Sequence, residues 1–407
     1  MVTDFNQLYY KDSYLQTFDA KVLETKFAKG QLQIRLDRTA FYPEGGGQAG
    51  DTGYLFVAGS TDKIDVVDTI EADGLIWHLT AETQELELVN RTVQGRIDWE
   101  RRYDLMVQHS AEHIYSGLVN QHFGYDNVGF HINDRFMTID FNGVLTDTDV
   151  ADMERLCNIA IRKNLNYEID YYASAAEAPA DYRSKIELPQ AIRIVTVPGY
   201  DRCACCGTQV KQTGEIGLLK VIDRINYKGG VRLTLLAGQR ALDDYVAKHD
   251  SLRELSALLS SPILETVQAV ERLQAELENE KADTLRLTRR VVDALNRNRP
   301  TSIDQPTLLV ARNVSAAIHK ELGKQVSTAT TAIALLCSEV EDGSIHFTIC
   351  GTEASETQAL LNELKQLFSA KGGGKSAFIS GQIRNDNTSI EAIEEHMTAK
   401  GYKCYPL

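Results

Sequence analysis

Two histidines four residues apart, His109 and His113, are the first residues here whose types and spacing could do chemistry. On a helix, side chains at i and i+4 share a face, so two imidazoles can converge on one ion. Two ordinary polar histidines on a half-exposed face meet the same spacing. Ser110 stands where a zinc peptidase carries glutamate, so peptide hydrolysis is not implied. About ninety residues further on, Cys203, Cys205 and Cys206 crowd a segment bearing Gly199, Gly207 and Gly214. Thiols this close in a chain with seven cysteines, an odd number, fit metal binding or catalysis better than a disulfide framework. Imidazole and thiolate are zinc donors, and three protein ligands with a fourth position open or weak is the pattern of catalytic sites. A third stretch, Glu44 to Gln48, carries Gly45, Gly46 and Gly47, where no Cβ keeps a ligand from the backbone; a plain glycine turn is the other reading. Asp51 and Gly53 read as closing a strand turn.

These residues need elements to position them. From Thr17 to about Arg96, short alternating stretches such as QLQIRLD and KIDVVDTI are separated by Gly, Asp and Asn, the pattern of a small antiparallel barrel or sandwich. From Trp99 to Phe123 the apolar period becomes three and four, so the histidines fall on an amphipathic helix. Strands are expected at Met137 to Gly143, Ala191 to Gly199 and Gly217 to Ile225, with a helix at Asp149 to Asn164, which makes an α+β core. A long polar helix with an apolar stripe is expected over Asp243 to Arg297, broken or kinked at Pro262. Beyond Pro300, three strands and helices at Ser315 to Leu322 and Glu353 to Ala370 form an α/β unit.

At 407 residues the chain exceeds one hydrophobic core, so several domains are expected: 1–97, 98–242, 243–299 and 300–407. No apolar run is long enough for a membrane helix, and the first residues lack a signal-peptide pattern, so a cytoplasmic protein with no membrane contact is expected. The 43 basic residues against 57 acidic give a net charge of −14, which argues against unspecific grip on nucleic acid.

Four blocks carry a family resemblance: TAFYPEGGGQAGDTG at Thr39 to Gly53, QHSAEH at Gln108 to His113, GFHINDRFMTIDF at Gly129 to Phe141, and CCGTQVKQTGEIG at Cys205 to Gly217. They resemble the editing domain of alanyl-tRNA synthetase and its free-standing relatives, the alanyl-tRNA editing proteins. KGGGKSAFISGQI at Lys371 to Ile383 resembles the glycine-rich end of a DHH-associated domain, so the likeness covers essentially the whole chain and is to the long free-standing form.

The resemblance implies an α+β multidomain protein: N-terminal small β-barrel, zinc-binding editing core, long linking helix and C-terminal α/β domain of DHH-associated type. It implies an ATP-independent deacylase serving translation fidelity, which hydrolyses seryl- or glycyl-tRNA for alanine at a Zn(2+) site. The family's HxxxH and CxxxH pairs map onto His109, His113, Cys205 and Gln209, and Gln209 departs from the expected histidine. An amide oxygen is a weaker ligand than imidazole, which leaves that position to Gln209, to water or to Cys203 as substitute. Thr39 resembles the residue that reads the hydroxyl of mischarged serine, and Gln48 and His131 are further catalytic or structural candidates. The amides of Gly45, Gly46 and Gly47 would hold the terminal adenosine or the ester carbonyl. Zinc would activate a water, polarise the carbonyl or hold the substrate's amino group. A non-catalytic tRNA-binding homologue that lost a zinc ligand is the rival reading. Lys281 to Arg299, with six basic against two acidic residues, and the glycine-flanking Lys371 and Lys375 are candidate tRNA contacts. A homodimer through the long helix and the C-terminal domain is expected from the helix's apolar stripe.

Overall fold

A computed structural model describes residues 6–407 apart from 62, 175, 185–189, 341–342, 376 and 385–387, with only the backbone at 190, 191 and 375. The chain divides into two units, Met1–Glu254 and Leu255–Leu407.

In the first unit a short helix α1 (Leu8–Lys11) precedes β1 (Thr17–Ala28), β2 (Gln31–Leu36), β3 (Gly53–Val57), β4 (Lys63–Ala72), β5 (Leu75–Thr80) and β6 (Thr92–Ile97), which close as a barrel in the order β1-β2-β5-β4-β3-β6. Alternate residues such as Val22, Ile34, Leu55 and Val93 point inward and are fully buried, as the period of two requires. Closure leaves no free sheet edge.

Helix α2 (Trp99–Phe123) follows, capped by Asp98, whose side chain accepts the Arg101 N–H, and ended by Gly124 at φ 70°. The sequence reads it as amphipathic, yet every residue from Leu105 to Val119 is buried. The polar positions have partners inside: Gln108 donates to and accepts from the Ala237 backbone at 2.9 Å each, and Ser110 Oγ accepts the Val210 N–H at 3.0 Å. Around α2 lie β7 (Asn127–Ile132), β8 (Met137–Phe141), α3 (Asp147–Arg162), β9 (Glu168–Ser174), β10 (Gln190–Val197), β11 (Asp201–Ala204), β12 (Leu219–Tyr227) and β13 (Gly230–Ala237). They build one sheet ordered β12-β13-β8-β7 and another ordered β11-β10-β9.

Barrel and core are joined by a buried ion pair. Arg102, at the base of α2, reaches both Asp51 oxygens through Nε at 2.9 Å and donates to the Ser13 and Ala40 carbonyls, while Asp51 accepts the Tyr42 N–H at 2.6 Å. Asp51 therefore does more than close a turn: it is the anchor that fixes the glycine loop against α2.

Helix α4 (Gln239–Leu258) runs across the boundary of the two units, and α5 (Thr266–Asn296) follows a break at Ser260 to Pro262. Most apolar residues of α5, among them Leu273, Leu277 and Leu287, are exposed. The second unit continues with β14 (Thr307–Val314), α6 (Ala316–Ala329), β15 (Ala334–Val340), β16 (Ile345–Cys350), α7 (Ala354–Phe368), β17 (Lys371–Lys375), β18 (Phe378–Ile383), α8 (Ile390–Ala399) and β19 (Lys403–Pro406). Its strands form one mixed sheet, β17-β18-β16-β15-β14-β19, in which β14 runs parallel to β15 and β19. The glycine-rich segment is thus an edge hairpin. Among the described residues no helix is long and apolar enough to cross a membrane.

Candidate metal centre

Helix α2 presents His109 and His113 from one face, their rings stacked 5.4 Å apart, toward the loop that leaves β11. There the ligand atoms of His109, His113 and Cys205 lie within 4.8 Å of one another. Cys205 Sγ is 3.3 Å from His109 Nε2. Gly207 is needed for this approach: a Cβ at that position would stand 2.0 Å from His109 Cε1.

Each imidazole is anchored at its other nitrogen. His109 Nδ1–H donates to Gln48 Oε1 at 3.0 Å, and Gln48 Nε2 donates to Thr208 Oγ1 at 2.8 Å. His113 Nδ1–H donates to Asp201 Oδ2 at 2.8 Å. Both Nε2 atoms are thereby turned toward the Cys205 thiol. Burial raises the Cys205 thiol, but the two histidines outweigh it and hold it well below the ordinary 9.0. Burial likewise pulls His113 down, and Cys205 and Asp201 raise it to about 10. A thiolate and two fixed imidazoles are a donor set that suits a zinc ion.

The other expected residues sort around this centre. Gly46 faces it, with His109 Cε1 and the Gly207 amide nitrogen within 4.0 Å of its hypothetical Cβ, while Gly45 and Gln48 exchange backbone hydrogen bonds that close the loop. The Gly47 carbonyl accepts the Ile132 N–H, and Tyr42 Oη donates to the Gly45 carbonyl at 2.9 Å. Gln209 Oε1 accepts from Arg193 Nη2 at 2.7 Å, which turns Gln209 Nε2 toward Cys205 Sγ, 3.5 Å away. Cys203 falls in a second group, with His113 and Asp201. Thr39 is engaged within the barrel: its hydroxyl donates to His78 Nε2 at 2.8 Å and accepts the Phe41 N–H at 3.0 Å. His131 is exposed. Sequence reasoning missed Arg193, Asp201, Thr208 and His78. Each meets its partner through a side-chain contact between residues distant in sequence or on different elements, which leaves no local spacing to read.

The first unit thus sets the glycine loop of a closed barrel against a helix-borne histidine pair, with the thiol of Cys205 supplied by the loop after β11. Residues 2–101 match the model of tRNA synthetases class II (A), and residues 192–233 match the threonyl and alanyl tRNA synthetase second additional domain. The chain is 32% identical over 279 residues to the alanyl-tRNA editing protein AlaX-L of Pyrococcus horikoshii, covering 67% of this chain and 69% of that protein. It is also 29% identical over 400 residues to the alanine–tRNA ligase of Ignicoccus hospitalis, covering 96% of this chain and 42% of the ligase. A similar ligase of Halobacterium salinarum is 33% identical over 283 residues, 66% of this chain and 30% of the ligase. The chain belongs to the alanyl-tRNA editing protein family. It spans less than half the length of those ligases.

Proposed function

We propose that this protein deacylates seryl- or glycyl-tRNA for alanine in trans, at a zinc site formed by His109, His113 and Cys205. The observation that carries this reading is the convergence of His109, His113 and Cys205, whose ligand atoms lie within 4.8 Å of one another, with the thiol held well below its ordinary pKa by the two histidines. Zinc, when bound, supplies Lewis acidity toward the ester carbonyl or the substrate's amino group. The chain's own residues do the positioning. Gln48 holds His109, and the amides of Gly46 and Gly47, which have no hydrogen-bond partner among the described residues, offer donors for the carbonyl oxygen or terminal adenosine. Gln209 acts as a donor to the thiolate instead of a ligand, since Arg193 can only donate and so fixes the amide oxygen on its own side. Thr39 reads the serine hydroxyl through the lone pair that Phe41 leaves free.

The reading extends to the rest of the chain. The four divisions at 1–97, 98–242, 243–299 and 300–407 stand as functional parts, the last of DHH-associated type. Exposed Arg289, Arg290 and Arg297 on or just after α5 serve as tRNA contacts, whereas Lys281 and Arg286 pair with Glu278 and Asp283 of the same helix. Lys371 is exposed on β17, and the Lys375 side chain lies outside the described residues. The exposed stripe of α5 supports a homodimer. The cytoplasm, where charged tRNA is used, is the proposed compartment.

Purified protein with zinc, assayed on seryl-, glycyl- and alanyl-tRNA for alanine, tests the reading. Clearance of either mischarged tRNA with alanyl-tRNA spared is the expected result. Seryl- and glycyl-tRNA as stable as in buffer would sink catalysis and leave a tRNA-binding homologue.

A further inference from the structure

We infer that Asp201, clamped by Arg183, is a positioning residue that fixes His113 in the tautomer and orientation needed to bind a metal through Nε2. The carboxylate side chain is almost fully buried and divides its oxygens between two partners: Oδ2 accepts His113 Nδ1–H and Oδ1 accepts Arg183 Nε, each at 2.8 Å. The backbone is built to bring it there. Gly117 lies one helical turn after His113, and a Cβ on it would stand 2.3 Å from the Tyr200 carbonyl oxygen and 2.7 Å from Asp201 Cβ. Only glycine at 117 lets the Gly199 to Asp201 turn settle against α2 beside the His113 ring.

His113, Asp201 and Cys203 also fall within ligand distance of one another, but the geometry assigns Asp201 to support and not to ligation. A cation on that carboxylate would have to share it with the Arg183 guanidinium, whose side chain is mostly buried. The same fact explains why a carboxylate is tolerated so near a thiolate: Arg183 balances its charge. His109 has a neutral counterpart in Gln48, so the two imidazoles are held by unlike partners. A carboxylate partner raises the basicity of a ligating histidine where an amide does so less, which makes His113 the stronger donor of the pair.

The inference rests on the proposed zinc site, and the experiment separates the two. Zinc affinity is measured by chelator competition on the full chain, wild type against Asp201→Asn and Asp201→Ala. Imidazole nitrogen resonances are recorded on the zinc-loaded protein. Asp201→Asn is nearly isosteric and keeps an acceptor for His113, which guards against a folding failure. Zinc binding about ten- to a hundred-fold weaker in Asp201→Ala, and less weakened in Asp201→Asn, is expected. The His113 nitrogen resonances should move while those of His109 stay, a selectivity that general loosening of the site would not give. Equal zinc affinity in all three proteins, or equal movement of both histidines, would overturn the positioning role. Absence of zinc binding in the wild type would overturn the zinc reading itself, and this inference with it.

Discussion

Arg193 Nη2 donates to Gln209 Oε1 at 2.7 Å and so decides what Gln209 shows to the site. A guanidinium has no acceptor, so the atom facing it is the amide oxygen, and the amide nitrogen is left 3.5 Å from Cys205 Sγ. Gln209→Ala should therefore keep one zinc per chain, bound within about tenfold of wild type, while Cys205→Ala loses it. The variant should cost about 1–3 kcal/mol of stability, because the buried Arg193 loses an acceptor. Elemental analysis and thermal melting check this, and loss of zinc in Gln209→Ala would restore Gln209 as a ligand.

Gly207→Ala tests the approach of the cysteine loop to α2. The new methyl group would stand 2.0 Å from His109 Cε1, and fully buried surroundings leave the ring little room to yield. His109 must swing off Gln48, so zinc binding should weaken by about tenfold or more, in line with the loss of an outer-shell partner. Chelator competition on the folded variant measures it. Unchanged affinity would mean that the loop shifts freely and that the ligand geometry is not fixed by Gly207.

The barrel strands and the helix carrying His109 and His113 were legible because they rest on local periods of two and about three and a half. The break at Pro262 was legible because a proline cannot continue the hydrogen-bond ladder. The full burial of α2 was not. Its polar face looks solvent-bound in sequence, and only distant residues such as Ala237 and Val210 satisfy Gln108 and Ser110 inside. In the same way Asp201 and Arg193 acquire their roles from partners outside their own sheet, His113 on α2 and Gln209 in the loop after β11, which no short window of sequence encodes. Asp51 read as a turn residue because its partner, Arg102, lies on another element.

Thr39 makes a further case where two roles can be separated. Its hydroxyl satisfies two buried groups, His78 Nε2 and the Phe41 N–H, and Thr39→Val strands both at about 1–3 kcal/mol of stability. Thr39→Ser should melt close to wild type. If the remaining lone pair reads the serine hydroxyl, Thr39→Val should also slow seryl-tRNA deacylation by about tenfold more than glycyl-tRNA deacylation. Equal slowing of the two substrates would reduce Thr39 to a structural residue of the barrel.

His78 and His319 should set the acid limit of the fold, one in each unit. Burial lowers each from the ordinary 6.5 to about 4, with the neighbouring His346 adding to the fall at His319. Each is neutral in the fold: His78 Nδ1 donates to the Ile34 carbonyl while Nε2 accepts from Thr39, and His319 bridges Ser338 and Thr348. The unfolded chain takes up protons first as pH falls below 6.5, so stability is complete above that value and is lost between 6.5 and about 4. The loss should reach about 2 kcal/mol per histidine by pH 5. His78→Gln offers an amide that can still accept from Thr39 and donate to Ile34, but carries no titrating group. Its melting temperature should fall less than that of the wild type between pH 7.5 and pH 5, by roughly the share of one histidine. Parallel pH curves for the two proteins would show that His78 is not held neutral by the barrel.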